Sequence, residues 1–272
     1  TKFGLKKALM MFDGMFAFAL YDLKKQKLFL VRDRIGEKPI YYYHSDNNFV
    51  FSSELKAMNE NPLVIKKISD DASELFLRLG YIPEPYSIYE SILKVNPGEI
   101  VEFSMKLNSV SSEMYWQTIN EIRDPHRMSF SEATSITHEL LKKSVAKQLI
   151  SDVPIGAFLS GGIDSSLICA IMSEISSTKI KTFSIGFNEK SFDESKYAEQ
   201  VAQKIGSDHN KLIIDEKQAL ELIPKIPTIF SEPFADSSQI PTYFVSQLAS
   251  TKVKVCLSGD AGDELFGGYN RY

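Results

Sequence analysis

Two short stretches of this 272-residue chain carry residue types that do phosphate chemistry. The first is Ser160-Gly161-Gly162-Ile163-Asp164-Ser165, directly behind the apolar run Ile155-Gly156-Ala157-Phe158-Leu159. That run has the length and bulk of a buried strand, and Ser165 to Ile175 reads as a helix, so the glycines fall on a strand-to-helix turn. Adjacent glycines let a phosphate approach the backbone, a helix N-terminus favours negative charge, and the serines add short donors. Asp164 would repel phosphate there unless it held a divalent cation, which makes a Mg2+-bound nucleotide the natural guest. Taken alone, the same residues also suit a polar turn with no ligand.

The second stretch is Ser258-Gly259-Asp260-Ala261-Gly262-Asp263-Glu264, followed by Leu265-Phe266-Gly267-Gly268-Tyr269. Three carboxylates among glycines repel one another unless a cation or a proton relieves them. With Asp164 they could form a magnesium pole beside a triphosphate, and a solvated acidic turn fits the residues equally well. The chain has no G-x-x-x-x-G-K-[ST], so the lysine that serves cleavage between the β and γ phosphates is missing. A loop that grips pyrophosphate suits cleavage between α and β instead. That leaves an adenylate and points to ATP-driven ligation of a carboxylate.

The elements that must position these loops change character along the chain. Up to about residue 118 the pattern predicts short strands at Gly14 to Asp22, Lys27 to Asp33, Pro39 to His44, Phe49 to Ser53, Ile92 to Val95 and Glu99 to Phe103. Leu23 to Gln26, Ser45 to Asn48 and Asn96-Pro97-Gly98 supply turns between them. One helix is expected from Asp71 to Leu79, with Glu74 completing a capping box on Asp71. Residues 119–128 are polar with a proline and read as a linker.

Beyond the linker, helix and strand alternate. Ser129 and Glu132 form a capping box, and Ile136, Leu140, Leu141, Val145 and Leu149 give an apolar stripe at helical spacing. Strands follow at Lys179 to Phe187, His209 to Ile214 and Thr251 to Leu257, with a helix from Asp193 to Ile205 behind Ser191 and Glu194. Strands separated by helices imply parallel crossovers, a doubly wound sheet, and ligands at the carboxyl ends of its strands. Both special loops then lie on that edge.

Composition narrows the function classes. With 43% hydrophobic and 24% charged residues, the chain can bury one or two cores, and a net charge of −4 offers no nucleic-acid signature. Cys169 and Cys256 lie far apart in apolar stretches, so neither a disulfide framework nor a metal motif is expected and a cytoplasmic location is simplest. Met15 to Tyr21 is too short to span a membrane, and no signal peptide precedes it. Both ends of the chain read as cuts. His44, His126 and His138 share no ligand spacing. His209 reads more readily as structural than catalytic, Arg34 and Lys38 as paired surface charges, and Tyr41-Tyr42-Tyr43 as filling a sheet. The loop Glu232-Pro233-Phe234-Ala235-Asp236-Ser237-Ser238 is placed either to reach a substrate or to cap a helix.

Asp152 through Ser166 and Leu257 through Tyr269 closely resemble the synthetase domain of the glutamine-hydrolysing asparagine synthetases. Asp13-Gly14-Met15-Phe16-Ala17-Phe18-Ala19-Leu20-Tyr21-Asp22, Arg32 through Tyr42 and Phe51 through Ala57 look like the later strands of that family's class II glutaminase domain. The resemblance covers essentially the whole chain, in the family's order. It implies an α/β and α+β protein: an incomplete N-terminal-nucleophile αββα glutaminase domain over residues 1–118, a linker over 119–128, and an incomplete doubly wound ATP pyrophosphatase (PP-loop) domain over 129–272. It further implies that ATP and aspartate give β-aspartyl-adenylate and then asparagine, with AMP and pyrophosphate released and ammonia drawn from glutamine.

Carried over by residue, the resemblance puts pyrophosphate on Ser160, Gly161, Gly162, Asp164 and Ser165, and Mg2+ on Asp164 and Asp263. Leu159, Ile185, Ser258 and Gly259 would line the adenosine. Asp260 stands at the reacting centre, where relatives often carry the longer Glu. The family's cysteine nucleophile and Asn-Gly-Glu segment lie upstream of the Gly14-Met15-Phe16 strand and are absent here, so no glutamine hydrolysis is expected from this stretch, and Thr1 does not match the nucleophile's position. The family's C-terminal helices, with a lysine at the adenylate, are absent too. A related ligase acting on another carboxylate, or a paralogue that binds nucleotide without turnover, stays open, as does homodimerisation. Neither a nucleic acid nor a membrane is expected as a partner.

Overall fold

β-Branched and aromatic residues at alternating positions make the front of the chain strand-forming. The computed structural model, which describes residues 3–46, 48–121, 128–189 and 193–269, shows two compact units. The first comprises Thr1–Pro125 and Lys225–Asp236, and the second His126–Pro224 and Ser237–Tyr272.

The first unit runs through α1 (Leu5–Leu9), β1 (Ala17–Asp22), β2 (Lys27–Arg32), β3 (Tyr41–Ser45), β4 (Asn48–Ser52), α2 (Leu55–Asn59), α3 (Asp70–Leu79), β5 (Ile92–Lys94), β6 (Glu99–Ser104) and β7 (Ser109–Met114). The strands form two antiparallel sheets, β1-β2-β6-β7 and β4-β3-β5. Leu30 and Val101 of one sheet pack with Ile40, Val95 and Tyr42 beside the other, and Phe49 stacks on Phe103 with ring centroids 4.4 Å apart. On the far face of the larger sheet Val31 and Ile100 cover Leu9 of α1, and on the far face of the smaller one Tyr43 and Ile92 cover Leu55 and Met58 of α2.

A buried pair fixes the loop between β2 and β3. The Asp33 carboxylate accepts backbone N–H groups of Phe16, Ile35, Gly36, Glu37 and Lys38 at 2.7–3.2 Å. Arg32 donates to the carbonyls of Gly36, Lys38 and Val95 and pairs with Glu84.

Some boundaries differ from those read in the sequence. The helix expected at Asp71 starts one residue earlier because Ser69 caps it by accepting from Ala72 N at 3.1 Å, and Glu74 pairs instead with Arg78. Short α1 and α2, and the β7 edge strand with its serine-rich polar run, were not expected. Asn47 and most of the linker region, with His126, lie outside the described residues.

The second unit begins with α4 (Phe130–Gln148), whose Ser129–Glu132 capping box is formed as read. Of its stripe, Leu141, Val145 and Leu149 reach the core, while Ile136 and Leu140 are exposed. There follow β8 (Ile155–Phe158), α5 (Ile163–Ile175), β9 (Lys181–Phe187), α6 (Ser195–Ile205), β10 (Asp208–Ile214) and α7 (Glu216–Leu222). After the excursion Lys225–Asp236, which holds one-turn α8 (Ile226–Ile229), come α9 (Gln239–Ser250), β11 (Val255–Leu257) and α10 (Gly262–Phe266). The last strand is shorter than expected, because residues 251–253 still bond back into α9. The start of α6 is held by Asp193, whose carboxylate accepts Ser195 N at 3.1 Å, rather than by the Glu194 side chain; Ser191 lies outside the described residues.

All four strands are parallel, in the order β10-β9-β8-β11. One face packs Ala157, Leu159 and Leu257 against Val145, Cys169, Met172, Ala198 and Ala202 of α4, α5 and α6. The other packs Phe158, Phe183 and Cys256 against Val245, Leu248 and Ala249 of α9. From β8 the sheet grows to β9 on one side and to β11 on the other, so a crevice opens at its carboxyl edge.

The excursion Lys225–Asp236 is anchored within the first unit. Lys94, nearly buried, pairs with Glu232 and donates to Ile82 O at 2.7 Å. Ser231 accepts from Lys56 N, and Ala235 N donates to Gly80 O.

Asp33→Ala orphans five part-buried N–H groups at once, and the expected loss is about 3 kcal/mol of first-unit stability. The chain's single tryptophan, Trp116, packs in that unit and reports its urea unfolding separately.

Candidate functional site

The strand-to-helix turn after β8 is held by its own serines. Ser160 and Ser165 hydroxyls lie 2.8 Å apart, Ser160 N donates to Ser165 Oγ, and Gly162 N donates to Ser160 Oγ. Gly161 has φ +88°, and a Cβ there would stand 2.6 Å from Ala198 N, so the turn is pressed against the start of α6 and only glycine fits. Gly162 then caps α5 without a side-chain hydrogen bond to its first N–H groups, which leaves that helix end free to meet an anion. The helix starts at Ile163, two residues before the sequence suggested, so Asp164 sits in its first turn.

Behind β11, Ala261 takes a left-handed conformation and α10 starts at Gly262. A Cβ on Gly262 would lie 2.6 Å from Asp164 Cγ, so the two loops meet at the Asp164 carboxylate. Asp260 accepts from Ser258 Oγ at 2.9 Å, while Glu264 accepts from Tyr269 Oη at 2.8 Å.

Between the loops lies a cavity of about 540 Å³. It is lined by Leu159, Ser160, Gly162, Asp164, Ser165, Ile185, Ser258, Gly259, Asp260 and Asp263, which brings together every site residue expected from the sequence except Gly161, which faces α6. Glu264 does not line it; the carboxylates that do are Asp164, Asp260 and Asp263, with Glu194 of the α6 start. Sequence reasoning missed the apolar end formed by Phe158, Phe183, Phe187, Pro241 and Val245, and also Ser184, Glu194 and Thr242. Of the loop Glu232 to Ser238, Ser238 lines the cavity while Glu232 belongs to the first unit.

Among the described residues no three His, Cys, Asp or Glu side chains form a group able to hold a metal by themselves. Asp164 and Asp263 on one cavity wall fit Mg2+ in another way, since that ion takes one or two carboxylates and completes its shell with phosphate oxygens and water.

The remaining candidates are placed elsewhere. Arg34 is not a paired surface charge: it is partly buried and donates to Met10 O at 2.9 Å. Lys38 donates its backbone N–H to Asp33. His44 lies against Phe49 and Phe103. Cys169 and Cys256 are free thiols, pushed up by burial to about 12 and about 11, so both are protonated and inert near neutral pH. His209 lies between two hydroxyls, with Nδ1 2.9 Å from Thr182 Oγ1 and Nε2 3.1 Å from Ser184 Oγ, and desolvation lowers its pKa.

The sequence matches family models in both halves, the description "Asparagine synthase" over residues 137–272 and "Glutamine amidotransferase domain" over residues 1–116. The chain belongs to the asparagine synthase family. A Methanocaldococcus jannaschii relative, provisionally named glutamine-hydrolyzing asparagine synthetase 2, is 42% identical over 95% of this chain and 50% of its own length. Glutamine-hydrolyzing asparagine synthetases 1 and 3 of Bacillus subtilis are 34% and 31% identical, over 95% and 94% of this chain and 40% and 44% of their own lengths. The chain thus spans about half the length of these asparagine synthase relatives or less. Among solved structures, an NH3-dependent NAD synthetase from Campylobacter jejuni is similar at TM-score 0.35 and 15% identity, covering 53% of this chain and 62% of that one. Among the described residues, no helix is long and apolar enough to cross a membrane.

Two outcomes test this geometry. Gly161→Ala forces a strained φ and a backbone clash, and about 2 kcal/mol or more of second-unit stability is expected to be lost in chemical denaturation followed by helical circular dichroism. His209 has a native pKa below its unfolded value of about 6.5. Unfolded chains therefore take up its proton first, and stability is expected to fall as pH drops from about 6.5 through the native pKa. His209→Gln removes that part of the pH dependence of the urea midpoint.

Proposed function

We propose that this chain is part of an ATP-dependent carbon–nitrogen ligase that makes asparagine from aspartate, with glutamine or free ammonia as nitrogen donor. The observation that carries the reading is the meeting of the Ser160–Ser165 turn with the Ser258–Asp263 loop around one cavity at the carboxyl edge of a parallel sheet. Donors and carboxylates gathered around one cavity suit a magnesium nucleotide. The absence of a G-x-x-x-x-G-K-[ST] lysine from the sequence favours cleavage between the α and β phosphates.

In this reading Ser160, Gly162 and Ser165, with the N-terminus of α5, hold the pyrophosphate as charge develops on it, and Gly161 lets the turn close against α6. Asp164 and Asp263 hold Mg2+, which neutralises the phosphate oxygens. Leu159, Ile185, Ser258 and Gly259 line the nucleoside, with the apolar end of the cavity taking the base. The β-carboxylate of aspartate attacks the α-phosphorus and pyrophosphate leaves, giving β-aspartyl-adenylate. Ammonia then attacks the acyl carbon, AMP leaves with the bonding pair, and Asp260 accepts the proton that the new amide sheds. The Ser258 hydroxyl holds that carboxylate in place.

For the first unit the reading is the later part of an N-terminal-nucleophile αββα glutaminase domain, supported by two facing sheets with helices on their outer faces. The second is the earlier part of a doubly wound PP-loop domain. Domain boundaries at residues 1–118, 119–128 and 129–272, and a cytoplasmic location, belong to the same proposal.

In the full-length protein, Asp164→Ala and Asp263→Ala are each expected to cut aspartate-dependent ATP–pyrophosphate exchange by at least about a thousandfold, in the range of lost transition-state electrostatics. Exchange near the unmodified rate sinks the metal assignment. AMP release with a carboxylate other than aspartate, under ammonium, sinks the choice of acceptor.

A further inference from the structure

Thr182 and Ser184 present two hydroxyls on the sheet face where Ala157 of β8 and Leu257 of β11 pack under the helices, and both residues are at most 2% exposed. Buried hydroxyls need partners, and His209 supplies one for each. It stands opposite Thr182 in the parallel register, so its ring lies along β9 and touches the residues on either side of Phe183. Thr182 Oγ1 also lies 2.8 Å from Ser207 Oγ. A row of polar groups, Ser207, Thr182, His209 and Ser184, therefore runs along β9 as far as its middle. Ser184 and the next residue, Ile185, line the nucleotide cavity.

A neutral imidazole has one donor and one acceptor nitrogen, so in either tautomer one of the two hydroxyls donates to the ring and the other accepts from it. A protonated ring has two donors and forces both hydroxyls to accept. The charged groups facing the ring are Glu199 of α6 and Lys211 of β10, and these pair with each other, so desolvation governs and keeps the ring neutral at pH 7.

We propose that His209 is a positioning residue of the cavity: its ring fixes the Ser184 hydroxyl and with it the adjoining part of β9 that carries Ile185, and thereby sets the affinity for the nucleoside end of ATP. The inference rests on the ATP reading of the site but not on the identity of the acceptor carboxylate. No reacting atom is touched by the ring, so the effect belongs to binding.

The test is calorimetric titration of the full-length protein with Mg-ATP in the absence of acceptor. His209→Ala is expected to raise Kd about three- to tenfold, the worth of one or two buried hydrogen bonds. His209→Gln, whose amide both donates and accepts, stays within about twofold of the unmodified protein. In exchange assays the loss appears in KM for ATP rather than in kcat. The unmodified protein loses affinity more steeply than His209→Gln as pH drops below about 6.5, and the nucleotide's own protonation is common to both and cancels. Should the alanine variant not fold, Ser184→Ala removes only the hydroxyl and is expected to raise Kd about threefold.

Affinity unchanged in His209→Ala or in Ser184→Ala, or a glutamine variant as weak as the alanine one, overturns the proposal. Identical pH profiles for the unmodified and glutamine proteins overturn it as well. ATP binding without AMP formation sinks the ligase reading alone and leaves this comparison of Kd values standing, whereas failure of the unmodified protein to bind ATP overturns both.

Discussion

The pairing of β11 with β8 is the constraint on which the second unit depends. These two strands are distant in sequence, yet their register puts Leu257 beside Ala157, so the chain leaves the sheet twice within one strand spacing. Because β9 lies on the other side of β8, the strand order turns between β8 and β11, and a crevice opens there by topology rather than by side-chain choice. Side chains then decide its character. The hydroxyls and open helix end of one loop lie beside Asp164 of that loop and Asp260 and Asp263 of the other, and it is the crowding of like-charged carboxylates that has to be relieved there.

Much of this was legible from residues alone. The Ser160–Ser165 turn could be placed on a strand-to-helix junction because an apolar run ends on paired glycines, and the Ser258–Glu264 loop because three carboxylates beside glycines require a reason. That these loops meet followed only from parallel crossovers. The first turn of α5 was misplaced by two residues, since Gly162 caps the helix without a side-chain signal. Glu264 was grouped with the metal pole because sequence cannot show that Tyr269 reaches back to hold it.

The apolar end of the cavity was hidden for a different reason. Phe158 and Phe183 look like ordinary core residues in a strand, and they are partly that, packing under α9. Only the strand ends distinguish a residue that fills the core from one that also walls a cavity. His209 is the converse case: its sequence neighbours are polar, but its function in the fold is set by two hydroxyls from the adjacent strand.

The excursion Lys225–Asp236 bears on the order in which the polypeptide matures. Glu232 reaches Ile88 N across 144 residues of sequence and Ser231 reaches Lys56 N across 175, so the first unit closes contacts that do not exist until most of the chain has been synthesised. Lys94 remains in a nearly buried position without its counter-charge during that interval, a costly arrangement. The first unit therefore cannot be sealed before residues 231–235 are available to it. A polypeptide cut at residue 128 would leave that seam permanently open, and one starting at residue 129 would carry Glu232 with nothing to neutralise it.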